Sequence, residues 1–367
     1  LLVLLLLLLL SSSCLPERVS MGNKPARSAG GMRAVLRGGA SPIQFHAAGD
    51  LPATHYPKMP APGTDEVLVA VRAAAINPVD FKVGKWLLGA VMGLDLAGVV
   101  THVAEGSTST LKVGDEVFGT ARGSLADRVL AKGGALGIKP ARWSFVQAAA
   151  VPTTYVTALQ AMRHGELAKG GSVLIIGASG GCGTAGLQVA KALGCGKLIG
   201  VCSGKNVEYC KSHGADAVID YTRQSILDSG ERAGDGEAKA EAESEQPYYD
   251  LVYDCATNSG AGEDYKADAL RVLRPAKCAR TAAHGQYVAI NGAVGMWLRK
   301  FTIGQRPNEH LFLTDMNTKD LDRLSSMDSL NPTIHLELPL DEEGVKRGFE
   351  MLKSRRAVGK IVFNMEL

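Results

Sequence analysis

Paired cysteines are missing from this sequence. Its seven cysteines, Cys14, Cys182, Cys195, Cys202, Cys210, Cys255 and Cys278, include no C-x-x-C pair and are odd in number. This excludes a four-cysteine zinc lobe and speaks against a disulfide framework, leaving free, buried thiols in a reducing compartment as the plain reading. A catalytic zinc needs three ligands drawn from His, Cys and carboxylates. Yet no cysteine lies between Cys14 and Cys182, and His46, His55 and His102 stand isolated. No metal site is therefore expected. The one G-x-S-x-G match, Gly177 to Gly181, falls inside a Gly-rich turn that Ser179 serves, so a serine hydrolase is poorly supported too. Net charge is only +3, from 40 basic and 37 acidic residues. A field that weak gives no reason to expect nucleic acid or an anionic membrane as a partner.

Apolar runs long enough to span a bilayer are also lacking. Residues 1–10 are leucine but for Val3, about half of the roughly 20 residues a spanning helix needs. No basic segment precedes them, as a secretory signal would require. Two readings of residues 1–31 stay open. One is a fragment or mistranslated leader with starts at Met21 or Met32; the other is a targeting segment. Localisation is correspondingly open between the cytoplasm and an organelle, chloroplast or mitochondrion. Met21 and Gly22 open like a myristoylation site, but Ala26 stands where Ser or Thr is wanted.

What the chain does have is glycine and short apolar segments. A length of 367 residues suits about two domains of roughly 150 residues each. Apolar residues make up 46%, enough for a substantial core. The 43 glycines point to tight turns and close backbone approaches. The first half reads as closely spaced strands at 32–37, 66–76, 93–103, 112–119 and 125–131, separated by Gly and Pro turns, which predicts a compact β-barrel. Beyond Pro152 the pattern changes. A helix at 153–163 leads into strands at 173–176, 198–202, 217–220, 251–254 and 287–291, with helices at 183–193 and 206–213 between the first of them. Short buried strands alternating with helices predict an α/β fold, a doubly wound parallel sheet. Residues 228–247 are acidic, rich in Ala and Gly, and lack an apolar stripe, so they read as a solvated insertion. The chain closes with a helix at 343–353 and a strand at 360–364.

The strongest chemical signal runs from Val173 to Gly183. Counted from Ala178, the residues Ala178, Ser179, Gly180, Gly181, Cys182 and Gly183 follow the pattern [A/G]-x-G-x-x-G between a buried strand and a helix. That setting makes a Gly-rich turn a dinucleotide site: glycine lets the backbone approach a pyrophosphate, and the helix start offers unpaired N–H groups and a positive dipole end. An NAD site places Asp or Glu at the end of the second strand for the ribose hydroxyls. Here that strand ends Val201, Cys202, Ser203, Gly204, Lys205, with no carboxylate. Ser203 and Lys205, with Tyr221 after the third strand, suit a phosphate dianion instead. NADPH is the expected cofactor.

Order and motifs together carry a resemblance. Barrel first, Gly-rich unit second and a return to the barrel at the end accompany Ile76 to Asp80 (I-N-P-V-D), Gly93 to Gly98 (G-L-D-L-A-G) and Val113 to Val117 (V-G-D-E-V). Val151 to Leu159 and the closing Gly359 to Val362 fit as well. From about residue 32 onward the chain resembles the medium-chain dehydrogenase/reductase superfamily, in its zinc-free quinone oxidoreductase (zeta-crystallin-like) branch, including chloroplast-envelope homologues. The resemblance implies a Rossmann sheet plus a GroES-like β-barrel. The barrel would span 32–154, completed by 316–367, and the NADPH-binding unit 155–315, with the active cleft between them. It implies hydride transfer to a quinone or an electron-poor enone. An enoyl-thioester reductase and a non-catalytic NADPH-binding protein are the alternatives. Asn77 would lie at the nicotinamide and bond substrate or cofactor amide. Thr153 and Thr157 would flank the ring, Asn291 and Gly292 would close over it, and Lys360 would reach the cofactor from the returning segment. Enoyl-thioester reductases of the superfamily use a tyrosine a few residues past the Asn; here Trp86 stands past the Asn, and it has no phenolic proton. Pairing of two copies through an edge strand at Glu309 to Thr314 is also implied.

Overall fold

The computed structural model describes residues 32–37, 43–46, 61–83, 88–228, 248–259, 263–275, 284–292 and 294–367. The readings of residues 1–31, of the insertion beyond Asp228 as far as 247, and of Trp86, Cys14 and Cys278 lie outside the described residues.

The first half forms strands, as its pattern predicts. β1 (Ala34–Leu36) and β2 (Gln44–His46) make a small antiparallel pair. β3 (Glu66–Ile76) is the spine of the barrel sheet. It is followed by the short α1 (Pro78–Lys82), then β4 (Asp95–Val103), β5 (Glu116–Thr120), β6 (Arg128–Lys132) and β7 (Leu136–Ile138). β3 carries three alanines in a row, all fully buried. Ala73 and Ala75, with Ala97 of β4, join the core that holds Ala148 and Ala149 of α2 (Phe145–Ala149). Small side chains on both partners let a helix lie close on a sheet without leaving a void.

After α3 (Pro152–His164) comes a six-stranded parallel sheet built from β8 (Ser172–Ile176), β9 (Lys197–Cys202), β10 (Ala217–Asp220), β11 (Leu251–Asp254), β12 (Gln286–Ala289) and β13 (Glu309–Leu311). Its helices are α4 (Gly181–Ala192), α5 (Val207–Ser212), α6 (Lys266–Arg271) and α7 (Val294–Thr302). The spatial order is β10-β9-β8-β11-β12-β13, every pair parallel. Chain progression therefore runs outward in one direction from β8 and in the other from β11. The crevice beyond the carboxyl ends of β8 and β11 is where such sheets bind ligands.

α8 (Thr318–Ser325), β14 (Ile334–Pro339), α9 (Glu342–Ser354) and β15 (Lys360–Asn364) bring the chain back. β14 and β15 are parallel, and β15 then pairs antiparallel with β3, with Ile361 opposite Ile76. That register sets Lys360 beside Asn77. β14 is absent from the sequence reading. The helix expected at 183–193 begins two residues earlier, because Gly180 takes the extended N-cap conformation and Gly181 is already helical.

Candidate active site

A single cleft of about 880 Å³ runs from the Gly-rich turn to the start of α1, with barrel residues on one wall and parallel-sheet residues on the other. The turn is built by backbone geometry. Gly177 has φ +76°, which favours glycine, and its N–H and that of Ala178 both donate to the Val201 carbonyl. The Gly180 N–H donates back to Gly177 at 3.1 Å. A Cβ on Gly183 would fall onto the Gly177 carbonyl oxygen and within 2.6 Å of Ala178 Cα, so glycine there lets the helix start close against the turn. The N–H groups of the first turn of α4 have no helical carbonyl behind them, which suits an anion.

Ser179, Gly180, Gly181, Cys182 and Gly183 all line the cleft, and so do Thr153, Thr157, Ser203, Lys205, Tyr221, Asn291 and Lys360. Ala178 and Gly292 lie behind its wall. Ala178 is fully buried, and Gly292 backs onto Leu311 so closely that a Cβ would come within 2.5 Å of its Cδ2. The sequence reading passed over Asn206, which ties the two cofactor-side loops together by donating to Ser179 Oγ at 3.1 Å and Ser203 Oγ at 3.4 Å. It also passed over Arg356, which lines the same cleft from the barrel side. Gly359 reaches the turn directly, donating to the Ser179 carbonyl at 3.2 Å.

The strand end without a carboxylate has one on its neighbour. Asp220, at the end of β10, accepts from the Gly204 N–H and from both the N–H and hydroxyl of Thr222, and these bonds hold its carboxyl below the usual range. Asp220 thus holds the loop carrying Ser203 and Lys205.

At the other end of the cleft, Asn77 is 3% exposed and completely oriented. Its backbone N–H donates to Asp80 Oδ2 at 2.7 Å, and its Nδ2 donates to Asp95 Oδ2 at 2.9 Å. Its Oδ1 accepts from Lys360 Nζ at 2.6 Å. Lys360, 5% exposed, also donates to Asp95 Oδ2 at 3.1 Å and to the Ile76 carbonyl at 3.3 Å, so all three ammonium hydrogens are committed to protein. Asp95 is fully buried, and its second oxygen accepts from the N–H and hydroxyl of Thr153 at 3.0 and 2.5 Å. Thr157 is engaged in turn, bonding the Thr153 carbonyl at 2.5 Å and the Thr314 hydroxyl at 2.6 Å. Burial, with the neighbouring Asp95 charge, pushes the Asp80 carboxyl up to about 7, against the Asn77 N–H and the Lys360 and Arg37 charges.

Beyond this polar knot the wall is apolar, formed by Val79 and Phe81 on the barrel side and Phe312 and Leu313 on the other. Across the mouth, Lys82 Nζ donates to the Ser259 carbonyl at 3.0 Å and Arg355 pairs with Glu263 at 3.2 Å. Among the described residues no three His, Cys, Asp or Glu side chains gather as metal ligands, and the described cysteines, Cys182, Cys195, Cys202, Cys210 and Cys255, are free thiols. No helix among them is long and apolar enough to cross a membrane.

Comparison with known proteins places this arrangement. Residues 63–161 match the family model of the alcohol dehydrogenase GroES-like domain, and residues 181–279 that of zinc-binding dehydrogenase. The 2-methylene-furan-3-one reductase of Solanum lycopersicum is 30% identical over 321 residues, 82% of this chain and 72% of its own length. The chloroplastic NADPH-dependent alkenal/one oxidoreductase of Arabidopsis thaliana is 30% identical over 319 residues, covering 81% and 72%. The crystal structure of Escherichia coli quinone oxidoreductase complexed with NADPH superposes with a TM-score of 0.66 over 92% of this chain and all of that one, at 22% identity, and so shares the fold. With its GroES-like barrel and Rossmann sheet, the chain is an oxidoreductase of the medium-chain dehydrogenase/reductase superfamily, in the branch of quinone and alkenal oxidoreductases.

Proposed function

We propose that this chain reduces a quinone or an electron-poor enone with NADPH. The observation that carries the reading is the single cleft that joins a dinucleotide-type phosphate turn to an apolar chamber walled by Asn77. The residues fit the cofactor. The Gly177–Gly183 turn and the first turn of α4 suit a pyrophosphate. Ser203, Lys205, Tyr221 and Arg356 line the cleft with hydroxyls and two cations where an added ribose phosphate would be held. The Arabidopsis relative is NADPH-dependent by name. When bound, the reduced nicotinamide supplies the hydride.

The protein's own part is placement and exclusion of water. Val79, Phe81, Phe312 and Leu313 give an apolar bed for a flat conjugated acceptor, while Asn77, Thr153 and Thr157 mark the polar side. A conjugated acceptor is already electrophilic, so a strong acid is not required, and solvent supplies the proton. Pairing of two copies through the β13 edge belongs to the same proposal. β13 is the outer strand of its sheet and pairs with β12.

The test is a titration of NADPH and NADH by fluorescence, followed by addition of phenanthrenequinone, a short enone and an enoyl thioester while nicotinamide absorbance is recorded. Preferential NADPH binding with oxidation by quinone or enone supports the reading. Turnover confined to the thioester moves it to an acyl reductase, and binding without turnover moves it to a binding protein.

A further inference from the structure

The Asn77 amide has only one orientation compatible with its partners. Lys360 is a donor without acceptor capacity, so the atom 2.6 Å from its Nζ must be the amide oxygen. Asp95 accepts from the opposite corner of the same amide, so the atom 2.9 Å from its Oδ2 must be the nitrogen. An amide nitrogen carries two hydrogens, and Asp95 takes one. The second has no partner among the described residues, and the side chain that bears it lines the cleft.

We propose that Asn77 is an oxyanion donor, locked with its free N–H toward the acceptor by Asp95 and Lys360 acting as positioning residues. This rests on the reductase reading and specifies how the site would recognise its substrate: by the carbonyl oxygen on which charge develops. When hydride is delivered to the far carbon of a conjugated enone, a C–H bond forms there and the C=C electron pair shifts toward the carbonyl. The carbonyl oxygen becomes the enolate oxygen, and solvent later protonates the enolate. The nicotinamide is oxidised by two electrons and the acceptor reduced by two. A fixed N–H aimed at that oxygen stabilises the charge without reorganising, the most effective use of a hydrogen bond in a water-poor cleft. Lys360 strengthens it from behind, since an ammonium on the amide oxygen polarises the N–H on the other side. An acceptor with an electron-rich oxygen at one end of its conjugated system is the class such a site takes.

The experiment uses para-nitrophenol, whose ionised form is a stable conjugated oxyanion with its own absorbance band. It is titrated into the full chain in the presence of oxidised cofactor, at pH values on both sides of the phenol's own pKa. The wild type is expected to bind the phenolate more tightly than the neutral phenol. Asn77→Leu is expected to lose that preference by roughly tenfold or more, as for one lost hydrogen bond to a charged oxygen. Asn77→Ala, which adds no bulk, answers the same question where the leucine variant does not fold. Lys360→Met is expected to weaken the preference and Lys360→Arg to restore part of it. A wild type without the preference, or a folded Asn77 variant that keeps it, overturns the proposal. Failure of the reductase reading shows elsewhere, as a wild type that does not oxidise NADPH when any quinone or enone is supplied, so the two outcomes are separable.

Discussion

Asp95 and Lys360 are 265 positions apart in the chain and 3.1 Å apart in the fold, with side chains that are 0% and 5% exposed. The last strand of the barrel meets the middle of the first half through this pair, and Asn77 and Thr153 complete its hydrogen bonding. Removing one member of a buried pair leaves the other charged without its partner, which costs about 3–5 kcal/mol. Lys360→Met is therefore expected to lower the unfolding free energy by that amount. Urea denaturation read by circular dichroism checks it, and a loss under about 1 kcal/mol would contradict the buried pairing.

Asp80 links stability to pH. Its folded-state value of about 7 lies above the ordinary carboxylate value, chiefly because burial disfavours the charge. The protonated acid is thus the form the fold prefers. The group's contribution is complete below about pH 4 and is lost as pH rises through about 7. Asp80→Asn keeps an acceptor for the Asn77 N–H and cannot ionise. Relative to the wild type, the variant is expected to gain stability between pH 5 and 8, by up to about 4 kcal/mol. Melting curves of both proteins across that range decide it. A difference that does not change with pH would mean that Asp80 does not titrate there.

Cofactor choice should rest on Lys205. Lys205→Ala removes a cation from the cleft wall while leaving the phosphate turn intact. NADPH affinity is expected to fall roughly ten- to hundredfold, as for one charge-assisted hydrogen bond, with NADH affinity unchanged. Parallel fluorescence titrations measure both. Equal losses for the two nucleotides would place Lys205 on a part of the cofactor they share.

Gly183 tests the turn itself. The atoms a Cβ would meet are backbone, the Gly177 carbonyl and Ala178 Cα, and cannot swing aside as a side chain can. Gly183→Ala is expected to push α4 away from the turn, lower stability by about 1–3 kcal/mol, and abolish saturable binding of either nucleotide at millimolar concentration. Unchanged nucleotide affinity would show that the turn tolerates the displacement.

The parts of the site that were legible in the sequence are the local ones. The Gly-rich turn is six consecutive residues whose meaning depends only on the strand before and the helix after, and Ser203 and Lys205 follow from the next strand end. Asp95 was visible as a letter in a motif, but its role comes from Lys360 and Thr153, which no local pattern connects to it. Asp220 shows the same limit: the carboxylate absent from the end of β9 stands at the end of β10, and only the sheet brings it to Gly204. β14 escaped although Ile334 to Leu338 alternate apolar and polar residues, because the run is short and lies between Pro332 and Pro339, which argue against a strand. α1 was hidden because its five residues are too few to show a helical period.

The placement of β15 has a consequence for biosynthesis. It pairs with both β14 and β3, so the barrel cannot close until its last strand leaves the ribosome. By then every strand of the parallel sheet has already been made. The nucleotide-binding unit is thus the first that can fold to completion during translation. The nascent first half must wait with the stretch of β3 that β15 pairs, Ala73 to Ile76, lacking that partner, a sheet edge open to wrong partners. Organisation of the Asn77 amide by Lys360 consequently comes after every strand of the parallel sheet has been made.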